Sequence, residues 1–504
     1  MSPETQSSES TPWPRRAMWG IFALLLVRTA TLSVLPLVDS TESRYAQIAA
    51  DMAETGDWSV PRIRIHDHLV PFDGKPPLHF WLGALAVRVL GRGELAARLP
   101  SLLALVGTVG LILTLGRRVV GQKGARAAAL LFSIGPLAFL LAGTVVVDGT
   151  LTFCTTGAIL IGLAHDPNAP RSTRRWWAAL LGVFLGLGFL VKGPIALAVV
   201  GSAGLLVAVV RRSLDPLRGH AWLTGGATML AVASPWFIAR ELSSPGFLNY
   251  FFIQENLLRY SSSNIGDRYG NVHVFFRGVS LAWWAVAAVP LFISVVCAWR
   301  ASRRLRSGEE SPGFTAGTRV YGSPFPEIVA ASIAIALVLS PSRNVLITYL
   351  LPAAPIAALA AGHVWTRAQL RLESLGTLAL VFAVFYGGAI FAVEGRISEV
   401  KSSRDAIALA RTVCRERGST EIVFPRKTPW SAYYYGGSAV VPRAADRYFF
   451  RIFETMEEHP DAVYIFKRRG LRRLRDSTSG LLEKFEFVGE TGQWHLAVRR
   501  PESG

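Results

Sequence analysis

Long apolar segments recur along this 504-residue chain and restrict its fold more than any other feature. Backbone groups inside a bilayer have no water to bond, so each such segment is predicted to cross the hydrocarbon as an α-helix. The segments are residues 17–37, 97–116, 125–147, 150–164, 176–191, 194–210, 221–239, 274–298, 326–340, 345–362 and 374–393. The pattern predicts a polytopic α-helical membrane protein with about 11 spans.

Composition supports a membrane protein. Hydrophobic residues make up 51% of the chain and charged residues 17%, below the roughly 25% that is typical of soluble domains. The formal net charge is +18, and the cations are spread over short loops. This combination excludes an average soluble enzyme or a disordered chain. It also indicates membrane topology rather than nucleic-acid binding.

The loop charges predict the orientation of the spans. With a cytoplasmic N-terminus, the inner loops are 116–126, 171–175, 211–220, 300–319 and 366–371, and all are basic. Positive loops stay in the cytoplasm. The rule fails if residues 77–91 span the membrane, and this segment is shorter than the roughly 20 residues a span needs. We therefore predict that it lies along the outer interface, with a short tilted span as the alternative.

The polar parts of the chain predict two further units. Residues 38–96 form a long first outer loop, which we assign to a transmembrane domain of residues 1–396. Residues 397–504 are polar and mixed, with a helical pattern that stops at Gly418 and four short strand patterns. They predict a small C-terminal α/β domain on the outer side.

Ionisable residues beside membrane spans are costly and indicate function. In the predicted topology they gather on the outer side of the membrane. Asp39 and Glu42 are three residues apart, so on a helix they share one face. The candidate site residues are Asp39, Glu42, Arg44, Tyr45, Lys75, Asp148, Lys192, Arg259, His273 and Arg343.

Carboxylates and cations at one membrane surface suit group transfer from a lipid-carried phosphate. Each charge-assisted hydrogen bond from a cation to the phosphate is worth roughly 1.5–3 kcal/mol. The same cations stabilise the charge that develops on the leaving phosphate, and a carboxylate takes the proton from an acceptor hydroxyl. The sequence contains no GxxxxGK[ST] nucleotide-binding loop.

Several segments resemble one family. ESRYAQIAADMAETGDWSVP, GKPPLHFWLGA and ELAARLPS are similar to the first extracytoplasmic loop of polyprenyl-phosphate-dependent GT-C glycosyltransferases. The resemblance is to bacterial 4-amino-4-deoxy-L-arabinose transferases and their kin, the protein O-mannosyltransferases. Later segments that resemble the family are VVVDGTLTF, LVKGPIAL, SPWF and SPSRNVLITYLLPAAP. The resemblance extends over about residues 18–365.

The resemblance implies a bacterial inner-membrane enzyme with a periplasmic active site and C-terminal domain. It implies transfer of a sugar, with inversion, from undecaprenyl phosphate to lipid A, a glycan or a protein. By the same resemblance Arg44, Lys75 and Lys192 bind phosphate and Asp148 is a second acidic site residue. The family's acidic pair is occupied here by Thr41 and Glu42. Either Asp39 or Glu42 is therefore the base, and we favour Asp39 because Glu42 can pair with nearby cations.

Other interpretations of these residues stay open. Lys192 can extend to the interface from a span end, Asp148 can cap a helix, and Arg343 can anchor a helix end. The residues His66 to His68 form an H-D-H cluster that is more typical of a polar loop than of a metal site. No cofactor or metal site is predicted, although a divalent cation is left open. The alternative functions are a transporter or flippase of a lipid-linked sugar and a non-catalytic lipid-binding scaffold.

Overall fold

The structure is a computed structural model of the chain. It describes residues 12–39, 41–65, 68–166, 168–212, 220–258, 324–339, 346–425, 428–441, 457–477 and 481–500. Within these ranges the protein is mainly helical, with a small sheet near the C-terminus.

Apolar helices form the body of the molecule, as the sequence predicts. Their bounds are α1 Arg15–Ala30, α4 Glu94–Leu111, α5 Arg117–Ile134, α6 Pro136–Leu141, α7 Val147–Ala164, α8 Arg171–Lys192, α9 Pro194–Arg211, α10 His220–Ser243, α11 Phe247–Asn249, α12 Phe325–Leu339, α13 Ala354–Arg367 and α14 Leu372–Lys401. Pi-helical turns extend α4 over Ile112–Gly116 and follow α11 over Tyr250–Leu258, and a 3-10 helix over Ile347–Ala353 leads into α13. In the described ranges, five helical segments are long and apolar enough to cross a membrane. The count of about 11 spans stays a prediction.

The structure differs from the prediction in one inner loop and in one span. The inner loop predicted at 116–126 is helical on both sides of Gly121, where φ is +75° and the chain turns. The predicted span 125–147 is divided, because α5 ends at Ile134 and α6 begins after Gly135. A proline at the first position of α6 suits a new helix, since its missing N–H would have no partner there.

Residues 41–90 form a layer beside the bundle. Helix α2 (Thr41–Thr55) buries most of its residues and packs on α3 (Leu78–Leu90). Between them, strands β1 (Arg62–Ile65) and β2 (His68–Pro71) form an antiparallel hairpin. Helix α3 has 13 residues, fewer than the roughly 20 that a span needs, and its position along the outer interface stays a prediction.

A sharp corner joins α8 to α9. Gly193 has φ +62°, a conformation that side-chain-bearing residues rarely adopt, and Pro194 begins the next helix. A Cβ at Gly193 would lie 2.7 Å from the ring of Phe251. The corner therefore requires glycine both for its backbone angle and for its close approach to an aromatic ring.

The C-terminal unit contains a four-stranded sheet in the order β3-β4-β6-β5. Its elements are α15 Arg404–Arg417, β3 Ile422–Val423, α16 Trp430–Gly436, β4 Val463–Lys467, α17 Arg468–Ser477, β5 Phe485–Thr491 and β6 Trp494–Arg499. Strand β3 pairs parallel to β4, and the other neighbours are antiparallel. All four predicted strands are present. The helix predicted from residue 397 to Gly418 is present from Arg404 as α15, while residues 397–401 belong to α14. The predicted domain boundary at 396/397 lies inside α14, which continues to Lys401.

Candidate active site

Glu42 and Arg98 form a buried ion pair at the start of α2. Arg98 Nε lies 2.9 Å from Glu42 Oε1, and both side chains are at least 94% buried. Arg98 also donates to the backbone carbonyls of Leu32, Leu35 and Pro36. Both Glu42 oxygens accept a backbone N–H as well, one from Val38 and one from Val145. The pair joins four segments of the chain: residues 32–38, the start of α2, α4 and the segment at Val145.

Asp148 and Lys192 form a second buried ion pair. Asp148 is in the first turn of α7 and Lys192 is the last residue of α8, so the corner at Gly193 presents the amine at a helix end. The Lys192 ammonium lies 2.5 Å from Asp148 Oδ1 and 3.8 Å from the centre of the Tyr349 ring. Both ionic side chains are about 95% buried. An ammonium has three donors, so this arrangement leaves capacity for a further anion.

Arg44 and Tyr45 lie next to this pair. The guanidinium of Arg44 stacks on the rings of Tyr45 and Phe72, at 5.3 and 5.6 Å from their centres. Arg44 Nε is buried and has no hydrogen-bond partner among the described residues. Burial raises the pKa of the Tyr45 phenol, while Arg44 and Lys192 act to lower it. Tyr45 therefore stays protonated at neutral pH and can donate a hydrogen bond.

Lys75 begins the segment that leads into α3. Its ammonium lies 3.1 Å from Glu255 Oε1, on the pi-helical turn that follows α11. The same turn carries Phe251, whose ring packs against Gly193 beside Lys192. Gly74, next to Lys75, packs against the ring of Phe72. Arg44 stacks on the same ring. These contacts place Arg44, Lys75 and Lys192 in one continuous region.

Asp39 lies just before the start of α2 and lines a cavity of about 400 Å³. The cavity is also lined by Arg28, Thr41, Glu42, Arg98 and Thr144. Asp39 accepts hydrogen bonds from the backbone N–H and the hydroxyl of Ser431, in the C-terminal unit. The segment 145–148 connects this cavity to the second ion pair, because Val145 bonds Glu42 while Asp148 bonds Lys192.

The remaining candidates lie outside the described residues. These are Arg259, His273 and Arg343, together with His66 and Asp67 of the H-D-H cluster. His68 is described and is exposed at the start of β2. These positions stay sequence predictions.

The structure adds residues that the sequence analysis did not select. Arg28 and Arg98 are buried cations within apolar sequence, and that pattern alone marks them as candidates. Arg28 donates to Leu140 O and Thr31 Oγ1, and its guanidinium occupies the space where Gly143 has no side chain. His79 Nδ1 lies 3.0 Å from Thr150 Oγ1, near Asp148. Ser431 and Tyr349 come from distant segments and carry no local signal.

Comparison with known proteins finds relatives in both fold and sequence. Residues 74–238 match the family model described as dolichyl-phosphate-mannose-protein mannosyltransferase. The crystal structure of ArnT from Cupriavidus metallidurans bound to undecaprenyl phosphate superposes with a TM-score of 0.72 at 19% identity, covering 95% of this chain and 97% of that one. The fold class is that of the GT-C glycosyltransferases, as predicted.

The relatives found by sequence similarity carry more specific names. An undecaprenyl phosphate-alpha-4-amino-4-deoxy-L-arabinose arabinosyl transferase of Edwardsiella ictaluri is 27% identical over 325 residues, or 64% of this chain and 54% of that protein. The corresponding transferase 1 of Sodalis glossinidius is 30% identical over 259 residues, or 50% and 45%. This chain thus spans about half the length of these relatives. The family resemblance inferred from the motifs is confirmed, and the chain is a multi-pass membrane protein related to these transferases.

Proposed function

We propose that this protein is a membrane glycosyltransferase. It takes a sugar from undecaprenyl phosphate, or a related polyprenyl phosphate, and transfers it with inversion to a periplasmic acceptor such as lipid A, a glycan or a protein. The related transferases of Edwardsiella ictaluri and Sodalis glossinidius are named for this donor class. The observation that carries the proposal is the buried Asp148–Lys192 pair, whose ammonium has capacity for one more anion.

The charge of the region suits a lipid phosphate. Arg44, Lys75 and Lys192 bring three positive charges, and Asp148 and Glu255 bring two negative ones. Among these five described side chains the positive charges exceed the negative ones by one, which suits the single negative charge of a sugar phosphodiester. Charged groups are costly in a buried site, and an anionic ligand offsets part of this cost.

The reaction is a single displacement at the anomeric carbon of the sugar. The acceptor oxygen forms a bond to this carbon while the bond from the carbon to the phosphate oxygen breaks, and the electron pair leaves with the polyprenyl phosphate. Lys192 and Arg44 stabilise the charge that develops on this phosphate. The Asp39 carboxylate accepts the proton of an acceptor hydroxyl. Glu42 serves to hold α2 and Arg98 in place, because its two oxygens accept four hydrogen bonds, which fill the roughly four lone-pair directions of a carboxylate.

The proposal includes the location and the organisation of the chain. Basic loops on one side of the predicted spans support an inner-membrane protein with its active site and C-terminal domain in the periplasm. Residues 1–396 bind the donor, and residues 397–504 pack over the acceptor side. No metal takes part in the proposed step, so chelation with EDTA is expected to leave the rate unchanged.

Purified protein in lipid nanodiscs with labelled polyprenyl-phosphate sugar tests the activity. We expect transfer to an added acceptor by the wild type. Lys192→Met should lower donor binding about 10- to 100-fold, the worth of one charge-assisted hydrogen bond. Arg211→Gln is a matched control, because it removes a cation from the partly buried Arg211–Glu327 pair, between α9 and α12. Equal donor binding by Lys192→Met and wild type would contradict the assignment of the phosphate site.

The alternative function is a transporter or flippase, and the same purified protein distinguishes it from a glycosyltransferase. Such a protein would move the lipid-linked sugar between leaflets without an acceptor and would not cleave the sugar–phosphate bond. We expect cleavage of this bond only when the acceptor is present. Translocation without any transfer product would reject the glycosyltransferase.

A further inference from the structure

Ser431 engages both oxygens of the Asp39 carboxylate. Its backbone N–H donates to Oδ1 at 2.8 Å and its hydroxyl donates to Oδ2 at 2.7 Å. The two residues are 392 positions apart in the chain, and Ser431 is completely buried. Two hydrogen bonds from one residue fix the plane of a carboxylate as well as its position.

Ser431 is in turn held by its own surroundings. The Ser403 N–H donates to Ser431 Oγ at 3.1 Å, and the two hydroxyl oxygens are 2.8 Å apart. The backbone N–H of Asp39 donates to Lys401 O at 2.9 Å, at the end of α14. Three segments of the chain therefore meet at Asp39: the segment before α2 that carries Asp39, residues 401–403 at the end of α14, and α16, which carries Ser431.

The same short helix, α16, also fixes the backbone before Asp39. The Tyr435 hydroxyl accepts the N–H of Leu37 at 2.7 Å and donates to Glu94 Oε1 at 2.9 Å. The Tyr434 hydroxyl bonds Gly93, one residue before Glu94. Helix α16 thus contacts the Asp39 segment and the start of α4 together, beside the cavity that Asp39 lines.

We propose that Ser431 is a positioning residue for glycosyl transfer, and that the C-terminal unit completes an active site otherwise built by the membrane domain. Ser431 orients the Asp39 carboxylate toward the acceptor in the cavity. A carboxylate has about four lone-pair directions, and Ser431 occupies two of them. This inference rests on the proposed function, in which Asp39 accepts the proton. Small errors in the orientation of a reacting group are expensive, because displacements of about 1 Å can cost roughly 100-fold in rate.

Steady-state kinetics of the full-length protein in nanodiscs tests the inference. Asp39→Asn should lower kcat by about 100-fold or more. Ser431→Ala should lower kcat by about 10-fold and leave the KM for the lipid-linked donor within about twofold, because the donor phosphate is bound elsewhere. Ser431→Thr keeps the hydroxyl and should restore most of kcat. Tyr434→Phe is the matched control: it removes hydrogen bonds between α16 and Gly93 without touching Asp39, and should keep kcat within about twofold.

The outcomes separate this inference from the proposed function. Wild-type kcat in Ser431→Ala, with Asp39→Asn inactive, would overturn the inference alone. An equal loss of kcat in Tyr434→Phe and Ser431→Ala would also overturn it, because the effect would then come from docking of α16. Full activity of Asp39→Asn would reject Asp39 as the base and Ser431 with it. Absence of any transfer by the wild type would reject the proposed function itself. Thermal unfolding of each variant shows whether a loss of kcat comes from misfolding.

Discussion

The two buried ion pairs at this site differ in how completely their charges are used. In Glu42–Arg98 the guanidinium contacts both carboxylate oxygens and three backbone carbonyls, and the carboxylate accepts two further backbone N–H groups. In Asp148–Lys192 a single hydrogen bond joins the partners, and the ammonium otherwise lies over the ring of Tyr349. Burial is nearly equal in the two pairs.

This difference separates a structural role from a binding role. A buried charge is tolerated when its hydrogen-bonding capacity is filled, and Glu42–Arg98 meets that condition within the protein. Among the described residues, Asp148–Lys192 does not meet it, because one hydrogen bond joins the partners. This incomplete saturation, rather than burial, supports the proposal that the second pair binds the donor phosphate.

Removal of Arg98 should have the largest effect. Arg98→Met leaves the Glu42 carboxylate buried without its cation, and removing one partner of a buried pair costs about 3–5 kcal/mol. We expect a large drop in the midpoint of thermal unfolding in detergent and poor accumulation of the protein. Arg415→Gln, at an exposed position on α15, should change the midpoint little. An Arg98→Met variant as stable as wild type would remove the distinction between the two pairs.

Replacement of both residues of the Asp148–Lys192 pair should have an intermediate effect. It should weaken donor binding and leave folding intact. In Lys192→Met with Asp148→Leu, both charges are gone and no buried charge is left alone, so we expect a folded protein. Donor binding should fall about 10- to 100-fold, because the phosphate loses a charge-assisted hydrogen bond. Isothermal titration with undecaprenyl phosphate measures this loss. Severe unfolding of the double variant would mean that this pair is structural as well.

Asp51, on α2, is a third buried carboxylate beside Glu42 and Asp148. The pH dependence of its contribution to stability extends the comparison. Burial raises the pKa of Asp51, although Arg64 and Gln47 oppose the shift. The folded protein then binds this proton more tightly than the unfolded chain does, so the free energy of unfolding falls as pH rises through the raised native pKa. Asp51→Asn should be more stable than wild type at neutral pH by at most about 1–2 kcal/mol, with the difference vanishing in acid.

Denaturant unfolding between pH 4 and pH 8 measures the Asp51 effect. Asp57→Asn is its control, because hydrogen bonds from Ser59 lower the pKa of that exposed carboxyl. A lowered pKa contributes stability that is present above the unfolded value and is lost in acid, so the pH dependence should have the opposite sign. The same sign in both variants would contradict the assignment for Asp51.

The smallest effect is expected at an exposed ion pair. Arg417 and Glu486 are 3.1 Å apart in the C-terminal unit, and each side chain is more than 40% exposed. Water screens such a pair, so Arg417→Ala should change the free energy of unfolding by less than about 1 kcal/mol. Thermal unfolding checks this value. A loss as large as that of Arg98→Met would show that burial and saturation do not set the ranking.

Much of the fold follows from the spacing of apolar residues. The helices, the short α3 and the C-terminal strands lie where hydropathy and turn residues predict them, because these elements depend on local sequence. The interruption at Gly135 was not predicted. An apolar run looks the same whether it is one helix or two, and only the packing around the glycine decides between them.

The site was predictable only where its residues sit in motifs. Lys75, Asp148 and Lys192 stand out as charges beside apolar segments, and the structure brings them to one region. The partners of Asp39 could not be found in this way, because Ser431 comes from a polar segment with no signal of its own. The saturation of Glu42 was equally hidden, since two of its donors are the backbone N–H groups of Val38 and Val145, which carry no chemical motif.

The corner at Gly193 has a consequence for how this chain can change. Lys192 is the last residue of α8, directly before the corner, and the ring of Phe251 packs against Gly193. The corner and the contact with Asp148 hold the amine at this end of the helix. Residues can therefore be added or lost at the far end of α8, near Arg171, without moving the amine away from Asp148.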